Sequence, residues 1–366
     1  MKKLLLGILL SAVVPYSHGT EPSTGNYKSD VFFVGGEYHG EPGKELMSGQ
    51  MYVERWTPET VTQPYPIVLI HGAAQTSVNW MTTPDGRSGW AHDFVGKGYV
   101  VYMVDQPARG RSAWHPNLNG ELRMFNAGII EKKFTASEQF EKQWPQSHLH
   151  TQWPGTGRKG DPVFDQFYAS QVESLKSHVE SSDVVRDAGV ALLDKIGPAI
   201  ILTHSQSGPF GWLIADARPE LVMSIVTMEP SGPPIQNKKG KASMPWGVTV
   251  VPITYSPGVS TPADLVTEQQ ANADRPDLIK CWQQTEPAKQ LVNLKDTPVL
   301  FLISESSYHA EYDHCTAKWL TQAGVDVDLV RLEDEGIRGN GHMLMLENNH
   351  LDIANWITTW VVKNVQ

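Results

Sequence analysis

A serine sits at an abrupt break in an apolar run, Ile200-Ile201-Leu202-Thr203-His204-Ser205-Gln206-Ser207-Gly208. The pattern predicts a strand that ends, turns sharply and feeds a helix. Such a turn pushes the side chain at its tip away from the sheet. A serine hydroxyl is a weak nucleophile at neutral pH. It needs a base within hydrogen-bond reach, and the base needs an acid to orient it. The small flanking residues expected of such a turn are only approximated here. Thr203 and Ser207 stand two places either side, and Gly208 comes one place late.

The base is expected in a loop after the last strand, and His342 in Arg338-Gly339-Asn340-Gly341-His342-Met343 meets that condition. His350 borders the terminal helical stretch and reads as solvated. His309 and His314 come too early. Two carboxylates compete for the acid. Glu229 and Glu305 each follow an apolar strand, where catalytic groups collect in open α/β sheets. Position alone leaves both open, and either could simply cap a loop. An oxyanion hole needs backbone N–H groups aimed at a developing alkoxide. Gln206, after the serine, and Ala73, in His71-Gly72-Ala73-Ala74 after an early strand, are the candidates. Together these residues would perform acyl transfer to water without a metal or organic cofactor. His148-Leu149-His150 and the set His309, Asp313 and His314 lack further ligands at metal-site spacing.

The elements that would position this chemistry alternate. Val31–Val34 and Met51–Trp56 read as an opening pair of strands. Ile67–Ile70, Tyr99–Val104, Met223–Met228, Val299–Ser304 and Val327–Leu332 are further strands. Their continuous apolar runs predict burial on both faces of a mostly parallel sheet. Helices are expected up to Lys97, over 184–194, over 210–217, in segments of 263–292, over 317–323 and over 351–362. In the last of these, Ile353, Trp356, Ile357 and Trp360 form a core stripe. From 113 to 182 apolar strands vanish and aromatics such as Trp114, Trp144 and Trp153 lie among polar residues. This stretch reads as a cap or lid inserted between two core parts, 20–112 and 183–366. Its aromatics are either packing or an acyl pocket.

Composition is that of a globular chain, 40% hydrophobic and 19% charged, with a net charge of -10. An acidic balance without basic clusters argues against nucleic acid and anionic membrane surfaces as partners. Lys2 and Lys3, the apolar stretch Leu4–Val14, Pro15 and the small residues Ser17 and Gly19 read as a signal peptide over 1–19, cut before Thr20. No cysteine lies near that point, so no lipid anchor is indicated. The chain is thus expected to be exported, to a bacterial periplasm or the medium. In an oxidising compartment its two cysteines, Cys281 and Cys315, are expected to pair. The oligomeric state is left open, a homodimer included.

The ordered set His71-Gly72, Asp105 to Ser112, Thr203 to Gly208 and Gly339 to His342 resembles the α/β-hydrolase superfamily over nearly the whole mature chain. The resemblance implies the α/β-hydrolase fold, a mostly parallel central sheet flanked by helices. Within it, Thr82 to Arg87, Met228-Glu229-Pro230 and Arg338 to Met343 are similar to a group of secreted bacterial esterases typified by an Alcaligenes esterase. That likeness implies Glu229 as the acid. It further implies a serine esterase acting on a small-molecule ester, and the aromatics of the insertion point to an apolar or aromatic one. Ala73-Ala74 departs from the pattern, since a relative has adjacent cysteines there.

Overall fold

The computed structural model describes residues 26–365. The expected signal segment, 1–19, lies outside them. An eight-stranded sheet forms the centre, with strands β1 (Tyr27–His39), β2 (Leu46–Pro58), β3 (Ile67–Ile70), β4 (Val101–Asp105), β5 (Ala199–His204), β6 (Val222–Met228), β7 (Val299–Ile303) and β8 (Val327–Arg331). Their spatial order is β1-β2-β4-β3-β5-β6-β7-β8. The β1–β2 and β2–β4 pairs are antiparallel, and every pair from β4 to β8 is parallel.

The apolar runs are explained by the two faces they serve. Along β3, Val68 and Ile70 enter one core layer while Ile67 and Leu69 enter the other. Along β7, Val299, Phe301 and Ile303 alternate with Leu300 and Leu302 in the same way. A strand covered on both sides has no solvent face to reserve for polar residues. Six helices matter below: α1 (Trp90–Gly96), α2 (Pro162–Ala169), α3 (His178–Ile196), α4 (Gly208–Ala217), α5 (Asp313–Gln322) and α6 (His350–Asn364). In α6 the residues Ile353, Ile357 and Trp360 are buried, while Trp356, the fourth residue of the expected stripe, is half-buried and its indole donates to Glu335 at 3.2 Å. Among the described residues no helix is long and apolar enough to cross a membrane.

Several expectations need correction. The opening pair is far longer than expected. The strand expected over Val31–Val34 runs on through Gly35 and Gly36, which take positive φ and let β1 continue against β2. Helix α3 starts at His178, where the Ser177 side chain accepts from the Glu180 N–H, so it begins inside the expected insertion. The range 263–292 contains no α-helix. It holds a short turn at Pro262–Asp264 and a two-stranded ribbon, Thr267–Gln269 with Trp282–Gln284. Pro276 and Pro287 deny the segment helical continuity. Cys281, beside the ribbon, is bonded to Cys315 in α5. His350 is buried rather than solvated, and its carbonyl accepts from the Trp90 indole.

Residues 113–177 leave the sheet and return without adding to it. They contain a two-residue strand pair, Leu122–Arg123 with Ser174–Leu175, and helix α2. This segment is tied to the loop carrying His342. Thr151 N donates to the Gly339 carbonyl at 2.9 Å, and the Trp144 indole donates to the Ser306 carbonyl at 2.8 Å.

Candidate active site

Ser205 follows the end of β5 directly and precedes α4, with a left-handed φ of 57°. Such backbone costs a non-glycine residue on the order of 1–3 kcal/mol, so its surroundings must impose it. Two glycines permit the packing around it. A Cβ on Gly72 would lie 3.0 Å from Ser205 Cβ, and one on Gly208 would lie 2.2 Å from Pro230 Cβ. The late glycine is therefore the one the turn needs. Ser207 fits its place by bonding rather than by being minimal: its hydroxyl accepts from His204 N at 2.8 Å and donates to the Ile70 carbonyl at 2.7 Å.

The expected partners converge on this serine across the sheet. His342 Nε2 lies 2.9 Å from Ser205 Oγ. His342 Nδ1 lies 2.5 Å from Glu229 Oε2. Glu229 follows β6 with a φ of 49°, and it is fully buried. Its carboxylate also accepts from Ser304 N at 2.9 Å and from the Ser307 hydroxyl at 2.6 Å. Glu305, the competing acid, does not reach the imidazole. It accepts from Arg338 at 2.8 Å and from Gly339 N at 2.7 Å, and so braces the loop that carries His342. A second brace is Glu347, which accepts from Asn340 Nδ2 at 2.8 Å and from Gly341 N at 2.9 Å.

Burial sets the charge balance. It holds the His342 ring well below the ordinary imidazole range, at about 3, and the Lys133 ammonium adds to this. The resting ring is neutral and can accept a proton. Burial pushes the Glu229 carboxyl up, against the bonds donated by Ser307 and Ser304, which favour the carboxylate.

Several residues around the site carry no local sequence signal. His204 Nε2 lies 2.8 Å from the His342 carbonyl. The His309 ring stacks on the His342 ring, with centroids 4.6 Å apart, and its Nδ1 lies 2.9 Å from Asp313. The fully buried guanidinium of Arg109 donates to the Gly72 carbonyl at 2.8 Å and to Gln206 Oε1 at 3.0 Å. It joins the two loops that present Ala73 and Gln206. Burial, then the charge of Arg123, lowers Arg109 to about 9.

Ser205 opens onto a cavity of about 150 Å³. Ala73, Gln206 and His342 line it, together with Phe125, Ile129 and Phe134 from the inserted segment. Trp114, Trp144 and Trp153 do not; Trp153 belongs to a core layer. Among the described residues two groups have atoms close enough to share an ion. Glu229, His309 and His342 are already engaged around the hydrogen-bonded chain. In the set of Cys281, His314 and Cys315, both sulfurs are used in the disulfide.

Residues 67–356 match the sequence profile described as the Alpha/beta hydrolase family. A protein described as a probable secreted lipase, phiG, from the fungal species of strain ATCC 74256, is 45% identical over 369 residues, covering 98% of each chain. A solved structure described as a novel bacterial esterase is 22% identical, with a TM-score of 0.62, covering 96% of this chain and 100% of that one.

Proposed function

The chain belongs to the alpha/beta hydrolase family, and within it we propose a serine carboxylic-ester hydrolase that works through an acyl-enzyme. The observation that carries this reading is the continuous chain from Ser205 Oγ through His342 to Glu229, opening on a cavity. The fungal relative's description as a lipase supports ester chemistry.

In this reading His342 Nε2 takes the Ser205 proton as Oγ attacks the ester carbonyl. The backbone N–H groups of Ala73 and Gln206 stabilise the oxyanion. The intermediate collapses, His342 gives its proton to the leaving alcohol, and an acyl-serine remains. His342 then takes a proton from water, whose oxygen attacks the acyl carbon. The second oxyanion collapses, the acid leaves, and the proton returns to Ser205. Glu229 stays ionised and steadies the imidazolium that forms twice per turnover. Phe125, Ile129 and Phe134 suit an apolar or aromatic portion of a small ester. The segment 113–177 serves as the cap over it. Export through a signal peptide over 1–19 belongs to the same proposal, and the relative's description as secreted supports it.

The test is a panel of p-nitrophenyl esters with wild type and Ser205→Ala, alongside fluorophosphonate labelling. Hydrolysis by wild type, its loss in the variant and labelling at Ser205 are expected. Undiminished hydrolysis by Ser205→Ala would end the proposal.

A further inference from the structure

The cavity above Ser205 has a charge that the chain as a whole does not. The protein carries 40 acidic side chains against 30 basic ones. Among the described residues the cavity is lined by Arg123, Lys133 and His178, and by no aspartate or glutamate. Arg123 is fixed by its backbone pairing with Ser174. Its guanidinium meets His178 Nε2 at 3.3 Å and lies over the Phe125 ring. Its Nε is buried without a hydrogen-bond partner. Among the described residues no carboxylate pairs with it, and burial alone lowers its pKa. The Lys133 ammonium lies 4.5 Å from the Tyr308 ring centroid, also without a carboxylate partner among the described residues. After burial, Lys239 and Lys238 are the groups that lower it. Lys238 itself is paired with Glu311 at 2.6 Å.

A partly buried cation normally recruits an opposite charge, because losing water without one is costly. Among the described residues no carboxylate fills that role. A positive patch at the mouth of a cleft also concentrates anions there and speeds their arrival.

We infer that the ester taken by this site carries a second, anionic group, held by Arg123 and Lys133 while its carbonyl meets Ser205. The inference rests on the serine-hydrolase reading and narrows its substrate class. The apolar side chains Phe125, Ile129 and Phe134 would span the stretch between the two ends.

The experiment compares matched esters: mono-p-nitrophenyl glutarate with p-nitrophenyl pentanoate, and mono-p-nitrophenyl suberate with p-nitrophenyl octanoate. Wild type is expected to favour the carboxylate-bearing member of at least one pair by about tenfold or more in kcat/KM. That ratio should shrink with added salt. It should also fall about tenfold in Arg123→Gln and fall in Lys133→Gln, while Arg123→Lys retains part of it. Equal or better turnover of the neutral member at both lengths would overturn the inference and leave the hydrolase reading intact. A preference that survives in both glutamine variants would overturn it equally. Turnover of neither member, with Ser205 inert to fluorophosphonate, would remove the hydrolase reading itself.

Discussion

His204 Nε2 lies 2.8 Å from the backbone carbonyl of His342, so the residue before the nucleophile holds the residue that would activate it. Since a carbonyl only accepts, Nε2 carries the proton. Burial, then the nearby His342, keeps this ring at about 3 and therefore neutral. His204→Leu is expected to lower kcat by roughly ten- to a hundredfold while KM moves much less, because the base loses its anchor. His204→Gln keeps a donor and should recover part of the loss. Steady-state kinetics on one p-nitrophenyl ester decides it, and a Leu variant with wild-type kcat would remove the positioning role.

The two late carboxylates separate by the same measurement. Glu229→Gln should cost on the order of 10⁴ in kcat, as expected when the orienting acid of such a chain is neutralised. Glu305→Gln should mainly lower the thermal midpoint, because it loosens Arg338 and Gly339 without touching the imidazole. A larger kcat loss from Glu305→Gln would reverse the assignment.

Arg109 offers a test of the oxyanion loops. Arg109→Met removes the donors that hold the Gly72 carbonyl and Gln206 Oε1 together. A kcat loss of about 10²-fold is expected, the scale of losing one oxyanion donor. Fluorophosphonate labelling of Ser205 should slow in parallel, since that reagent also builds negative charge at the site. Labelling at the wild-type rate would show that the loops hold without it.

His150 links the inserted segment to the loop of His342. Its Nδ1 lies 3.1 Å from Glu138 and its Nε2 lies 2.8 Å from Glu347. Burial works against a charged ring here, but the bonds to Glu138 and Glu347 outweigh it and raise the pKa to about 9. A folded-state pKa above the unfolded value of about 6.5 gives stability that is complete below the latter. That stability is lost as pH rises through the former. The difference in Tm between wild type and His150→Leu should therefore be largest near pH 6 and shrink toward pH 9.5. A gap that widens with pH would contradict the charged clamp.

Much of this site was legible from position. The strand, the sharp turn and the late loop each leave a local mark, so Ser205 and His342 could be nominated without coordinates. The choice between Glu229 and Glu305 was not legible from the residues themselves, because both are carboxylates at the ends of parallel strands. What divides them is which one meets a ring 113 residues away. The roles of Arg109 and His204 were not readable even though both lie within the motifs Asp105 to Ser112 and Thr203 to Gly208, and Arg123 left no mark, since their meaning lies in contacts between distant loops. The ribbon at Thr267–Gln269 and Trp282–Gln284 was hidden for a related reason: strands of three residues are too short to show a period. His350 looked solvated because a histidine at a helix start usually is, and only the packing of Trp90 against it says otherwise.

The unpaired cations around the cavity bear on the end of the cycle as well as its start. In the proposed reaction, hydrolysis would leave a carboxylate where there was a neutral carbonyl, and that anion would form within a wall that contains Arg123, Lys133 and His178 and, among the described residues, no acid. Attraction that gathers substrate then also retains product. Turnover would come to depend on departure rather than bond cleavage, with free carboxylic acids acting as competitive inhibitors and moderate salt quickening the cycle at saturating substrate.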